Sequence, residues 1–320
     1  QPREIAERAL FHKHHLHQNT RLENEILAMR KTPEVRDDFA LRGRCEVYRA
    51  DLKSMASANR LHQGINLRGH QVWGTYEHFQ DLLVIRGQEA DEDLWDIVEF
   101  FSKNSDPNIF KERHALSQSE FRKLIQPLIR TGHIVQDFRG GFRTVAPRAD
   151  VDPVELRKEY LRKMVENFPV ITLKQLMRLS GTPFKPEELK SVLNGFEEDG
   201  TLIKGFLIED LHEVCWGRKE LLEEAKDITS IRDFVLPPSD PIAPYFADIM
   251  KEKFGFGSAY LVFKNAEPVA AFKANTRNKI IEVKDYEGSE KGWRIVKEFA
   301  WEHQMPLETE LRIGGKKMTK

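Results

Sequence analysis

The stretch HIVQDFRGGFRTV, His133 to Val145, sets Arg139 and Arg143 beside Gly140-Gly141, between two short runs of β-branched and aromatic residues. Paired glycines there predict a tight hairpin, because the central positions of the favoured hairpin turns take positive φ. Guanidinium groups beside the tip suit a phosphate backbone, being planar, always charged and able to give parallel hydrogen bonds to two phosphate oxygens. A solvated surface hairpin is the plainer reading, so the neighbouring charges decide. From Pro107 to Arg148 the bases Lys111, Arg113, Arg122, Lys123, Arg130, Arg139, Arg143 and Arg148 stand against the acids Glu112, Glu120 and Asp137. Arg122 and Lys123 fall on the polar side of the segment before the hairpin. With Arg139 and Arg143 they make one basic unit, able to follow a phosphate backbone without reading a sequence. Lys185 and Lys190 are weaker candidates of the same kind, since Glu187, Glu188, Glu197 and Glu198 crowd their segment.

Other reactive side chains point nowhere as definite. FHKHHLHQ pairs His12 with His15 and His14 with His17 at a spacing that can set two imidazoles on one helical face for a metal ion. No third ligand cluster accompanies them, so a polar or DNA-facing helix surface is the favoured reading, and neither a metal nor any other cofactor is expected. RLHQGINLRGHQVWGTYEHF is rich in glycine and histidine but lacks phosphate-loop spacing and any Ser/His/Asp order, and reads as a linker with a short hairpin. Cys45 and Cys215 lie far apart, which indicates neither a disulfide framework nor a thiolate zinc site. Trp95 and the methionines read as core.

The elements that must carry the basic unit follow from apolar period and capping residues. DEDLWDIVEFFSKN places Leu94, Ile97, Val98 and Phe101 at helical spacing. A short segment, PNIFKERHAL, leads to EFRKLIQPLIRTG, a helix capped by Ser117 or Ser119, buried through Phe121, Leu124, Ile125 and Leu128 and stopped by Gly132. Pro127 should kink or shorten it. Three helices and a two-stranded hairpin make the winged-helix order. The order recurs downstream in DPVELRKEYLRKMVENF, TLKQLMRLSG, KPEELKSVLNGFEEDG and the strand pair of TLIKGFLIEDLHEVCWG. After the proline-rich junction DFVLPPSDPIAPY, a strand-rich stretch and the amphipathic EKGWRIVKEFAWEHQ predict a β-rich module with one helix, and GGKKMTK reads as a disordered tail.

At 320 residues, 40% hydrophobic and 32% charged, the composition is that of a folded protein of two or three domains. No apolar run is long enough to cross a bilayer, and QPREIAERAL has no apolar signal-peptide core, so a cytoplasmic protein without membrane contacts is expected. A net charge of -1 argues against a general nucleic-acid coat but leaves room for a local basic face.

The repeated helix-helix-helix-hairpin order, the DFVLPPSDPIAPY junction and the strands after it resemble the winged-helix family of the bacterial AlkZ and YcaQ DNA glycosylases, a fold also found at the C-terminus of Lhr-type helicases. DDFALRGRCEVYRADLKSM is similar to that family's signature of an apolar run, Arg-Gly, a small residue, a second strand and an acidic-led helix. Arg42-Gly43 match, and Glu46 stands where the family often has histidine. The resemblance implies excision of alkylated bases or unhooking of interstrand crosslinks by a Gln-x-Gln or Gln-x-Asp pair about where this sequence begins, and Gln1 can match its second member.

The expected fold is therefore α+β: an N-terminal helical, winged-helix-like segment over 1–90, winged helices over 91–148 and 149–226, and a small barrel-like β-rich module with a closing helix over 227–320. The expected partner is double-stranded DNA, bound by a monomer. Candidate DNA contacts are Arg42, Arg44, Arg122, Lys123, Arg139, Arg143, Lys185 and Lys190. Candidate catalytic groups are Gln1 and Glu46, and whether the chain is a glycosylase or a non-catalytic regulator or helicase accessory module stays open.

Overall fold

A computed structural model of the chain describes residues 3–13, 61–137, 139–209, 211–228, 231–277, 280–302, 310–313 and 316–318. The segment that carries the basic unit is built as its caps dictate. The Ser117 hydroxyl accepts from the Glu120 amide, and the Glu120 carboxylate accepts from the Ser117 amide, which opens helix α5 (Gln118–Thr131) with a capping box. Gly132, at φ 87°, closes it in the left-handed conformation. The helix runs through Pro127, which lies on its exposed side, where water can serve the carbonyl that proline leaves without a donor.

In chain order, α1 (Arg3–Lys13) precedes a hairpin of β1 (His62–Ile65) and β2 (Gln71–Gly74) and helix α2 (Tyr76–Arg86). Then come α3 (Trp95–Lys103), α4 (Pro107–Arg113), α5, β3 (Ile134–Gln136) and β4 (Phe142–Thr144). The sequence-read linker is part of this unit: β1 pairs with β3, giving a four-stranded sheet in the order β2-β1-β3-β4 that draws strands from both sides of residue 90. Phe79, Leu82, Leu83 and Ile85 of α2 are buried. Phe100, Phe101, Phe110, Phe121 and Phe142 form an aromatic cluster that fixes α3, α4 and α5 beneath the hairpin. Trp95 is not part of it; at the first turn of α3 it is exposed, contrary to its reading as core.

The second unit contains α6 (Pro153–Val165), β5 (Val170–Thr172), α7 (Leu173–Ser180), α8 (Pro186–Glu198), β6 (Ile203–Gly205) and β7 (Cys215–Gly217), followed by α9 (Lys219–Glu224). Its strands run β5-β7-β6, so β5, which has no turn signal of its own, completes the sheet. Asp152 caps α6 with Pro153 in the first turn, and Thr172 with Gln175 makes the capping box of α7.

Much of the proline-rich junction is buried. After β8 (Phe234–Leu236), the Asp240 carboxylate accepts from the Ile242 amide and a short turn presents Tyr245 and Phe246 to the core ahead of α10 (Ala247–Phe254). The Tyr245 hydroxyl donates to the Val170 carbonyl at 3.0 Å, and Gln175 Nε2 donates to the Tyr245 carbonyl at 3.1 Å, tying the second unit to the C-terminal module. That module is one sheet in the order β13-β12-β11-β10-β9-β8, made of β8, β9 (Tyr260–Lys264), β10 (Glu267–Arg277), β11 (Ile280–Gly288), β12 (Glu310–Ile313) and β13 (Lys316–Met318), with α11 (Glu290–Glu302) between β11 and β12. Among the described residues no ladder joins β8 to β13, so these strands form an open row rather than the expected barrel. Closure is not needed to bury its faces. Val262 and Phe272 lie in one cluster with Ile295, Val296 and Phe299 of α11, while Leu261, Phe263 and Ala271 pack into the main core. Lys316–Met318, within the expected disordered tail, pairs with β12.

Buried histidines give the fold a pH dependence. Burial, more than the nearby Arg86, holds His78 down to about 3, and burial likewise lowers His62 and His133. Part of His78 is exposed, but its Nε2 is out of contact with water. Between about pH 6.5, where an unfolded histidine titrates, and the lower folded value, the unfolded chain holds a proton that the folded chain does not. Stability should therefore fall as pH falls from about 6.5, by at most about 1.4 kcal/mol per pH unit for His78. Urea midpoints measured near neutrality and at about pH 5 check this. His78→Gln should flatten the trend, and a midpoint that rises on acidification contradicts it.

Candidate nucleic-acid interface

The hairpin between β3 and β4 is organised by one acid. Asp137 Oδ1 accepts from the Arg139 and Gly141 amides, both at 2.8 Å, so the carboxylate nearest the tip is held by backbone. The two glycines serve different ends. Gly140 has a φ of 85°, whereas Gly141 is not in the positive-φ region. A Cβ on Gly141 would sit 2.6 Å from Asp137 Oδ2 and 3.0 Å from the Ser105 carbonyl, so that glycine is required for close approach. The adjoining Phe142 amide donates to Ser105 O at 2.8 Å, which anchors the hairpin to the end of α3.

Arg139 and Arg143 are both exposed, as are Arg122, Lys123 and Arg130 on the outer side of α5. Their neighbours differ. The Arg143 guanidinium lies over the Tyr76 ring at 3.9 Å, and the Tyr76 hydroxyl donates to Thr144 O at 2.9 Å. Arg148 is engaged by Asp81 at 3.3 Å and Asp150 at 3.7 Å, Arg113 lies over Phe100, and Lys111 donates to Gln118. Arg122, Lys123, Arg130 and Arg139 have no acidic partner among the described residues. Sequence reasoning selected all of these but Arg130. It missed Tyr76, whose place under Arg143 depends on a contact across 67 residues of chain that no local pattern signals.

Arg143 is therefore also a structural group, and Arg143→Ala should lower stability by about 0.5–1 kcal/mol, whereas Arg139→Ala should leave it unchanged. Thermal melts of the two single variants check the difference; equal melting temperatures would show that the stack contributes nothing.

Lys185 and Lys190 are exposed at the start of α8. Glu188 is bound by Arg157 through hydrogen bonds of 2.9 and 2.8 Å, and the Arg157 contact keeps its carboxyl below the usual range. Glu187 and Glu198 remain exposed on the same helix, so this surface carries both signs. Gln1, Arg42, Arg44, Glu46, His14, His15 and His17 lie outside the described residues. Among the described residues no group of three or more His, Cys, Asp or Glu could hold a metal ion, and no helix is long and apolar enough to cross a membrane.

A cleft of about 580 Å³ lies among α1, α10 and the β9–β10 turn, lined in part by Arg3, Glu7, Lys253, Lys264, Glu267 and Lys291. Its signs alternate, with Arg3 on Glu7 at 3.3 Å and Lys253 near Glu267 at 3.8 Å, so it offers no single-sign field to a phosphate.

No protein-family model matches the chain, and no curated protein matches it in sequence. Among solved structures, the chain is similar to the Streptomyces sahachiroi DNA glycosylase AlkZ, with a TM-score of 0.70 at 10% identity, over 98% of this chain and 99% of that one. The chain has the AlkZ fold over nearly its whole length.

Proposed function

We propose that this chain is a DNA-binding protein related to the repair glycosylases that excise alkylated bases or unhook interstrand crosslinks. The observation that carries the reading is the set Arg122, Lys123, Arg130 and Arg139, exposed on α5 and its hairpin without acidic partners among the described residues, in a chain that shares the fold of a DNA glycosylase. In this reading both helix-helix-helix-hairpin units are winged helices. The first lays α5 and the β3–β4 hairpin against duplex DNA, the chain acts as a monomer, and Arg42 and Arg44 extend the phosphate contacts. Lys185 and Lys190 contribute less, because Glu187 and Glu198 share their surface.

Hydrolysis of a glycosidic bond passes through a sugar with positive character, which a carboxylate or amide oxygen can stabilise while it orients water. We assign that role to Glu46, with Gln1 as the residue matching the second member of the family's pair. The damaged nucleotide must also leave the stack, at a cost of roughly a few kcal/mol that backbone contacts offset. With Glu46 standing where the family often has histidine, duplex binding with weak or no base release is expected. A labelled duplex carrying an alkylated base, scored for both binding and abasic-site formation, tests this. Any release should disappear in Glu46→Gln. Robust release that survives both Gln1→Ala and Glu46→Gln would place the chemistry on other residues, and binding with no release at all would make the chain a non-catalytic DNA-binding module.

A further inference from the structure

We propose that the second hairpin, between β6 and β7, is a docking site for a basic, apolar strand segment of a partner protein and not a second DNA contact. Phe206, just after β6, is 72% exposed, more than any other large apolar side chain among the described residues. Ile203 and Val214 are each 41% exposed. Gly205 pairs with Cys215 as the last rung of the ladder, and Phe206 and Val214 are the residues next to it on the loop side. Among the described residues β6 is also the outer strand of the β5-β7-β6 sheet, with no strand paired to its other side. A large exposed aromatic beside a free edge is the anchor that strand addition uses: main-chain hydrogen bonds give affinity, and side-chain contacts give specificity.

Charge decides the class of partner. From Glu197 to Gly217 the acids are Glu197, Glu198, Asp199, Glu209, Asp210 and Glu213, and the one lysine is Lys204. Lys204 is engaged by Glu197 at 3.1 Å and Asn194 at 3.3 Å, with its ammonium over the Trp216 ring. Glu209 and Glu213 are exposed in the loop of this hairpin, and Glu198 and Asp199 at the end of α8 just before β6. Such a rim repels a phosphate backbone and attracts lysine and arginine, the reverse of the hairpin between β3 and β4. The two hairpins thus divide the work: the basic one meets nucleic acid and the acidic, apolar one meets protein.

The test uses the full chain and a short fluorescein-labelled peptide alternating leucine with lysine, a glutamate counterpart, and a labelled duplex, all read by fluorescence anisotropy. The lysine peptide should bind and the glutamate peptide should not. Phe206→Ser, which changes an exposed side chain, and Glu209→Lys with Glu213→Lys should each weaken the lysine peptide by about tenfold or more. Hydrogen exchange at Ile203 to Gly205 should slow when the peptide is bound, and duplex affinity should be unchanged in Phe206→Ser. Peptide affinity unchanged in Phe206→Ser would overturn the proposal. So would duplex affinity that falls with Phe206, which would make the hairpin a DNA contact, or self-association of the parent that Phe206→Ser abolishes, which would make a second copy the occupant. Duplex binding by the parent is read separately, so failure here leaves the DNA-binding reading standing.

Discussion

Alanine at Arg122, Lys123, Arg130 and Arg139 together is expected to reduce duplex affinity by about a thousandfold at about 0.1 M salt, and to lower the slope of log K against log salt by about 3 to 4. Each lysine or arginine on a phosphate releases condensed counterions, and the slope records about 0.9 per contact on duplex DNA. The effect should be nearly the same for unrelated sequences, because phosphate contacts carry no base information. Stability should hold, since all of these side chains are exposed and lack acidic partners among the described residues. Anisotropy titrations over a range of salt concentrations, with thermal melts as a folding control, measure both quantities. A variant that folds and keeps the parental slope would remove α5 and its hairpin from the interface.

Phe11→Ala should destabilise the protein by about 3–5 kcal/mol, the range for deleting a fully buried aromatic side chain. Phe11, on α1, is fully buried, with ring centroids 4.9 Å from Phe234, 5.6 Å from Phe246 and 4.8 Å from Phe263. It joins the first helix to β8, to the buried junction and to β9. A cavity there removes contacts from three segments distant in sequence, and the sheet cannot collapse into it while α11 holds its other face. Urea denaturation gives the value. Trp95→Ala, at an exposed ring, should stay within about 0.5 kcal/mol of the parent and serves as the control. A loss for Phe11→Ala no larger than that of the control would mean that α1 contributes little to the core.

Features of short range were legible in the amino-acid order alone. α5 follows from an apolar period, a Ser-x-x-Glu cap and a terminal glycine, all within a few turns of one another. The helix order of both units, the β3–β4 hairpin and the amphipathic α11 follow from the same local grammar, as does the charge bias from Pro107 to Arg148. Distant contacts settled the rest. β1 was unreadable as a partner of β3 because strand pairing is set by a register across the fold, and a stretch as rich in glycine and histidine as this one fits a linker equally well. The proline-rich junction was legible as a turn but not the burial of its Asp240, because proline and aspartate mark turns whether a turn lies inside or outside. Likewise, eight bases stand from Pro107 to Arg148 in the sequence, but only the folded chain showed which were already engaged: Arg148 by Asp81, Arg143 by Tyr76 and Arg113 by Phe100. An arginine's charge is fixed by its type, whereas its availability depends on what the tertiary structure brings within a few ångströms of it.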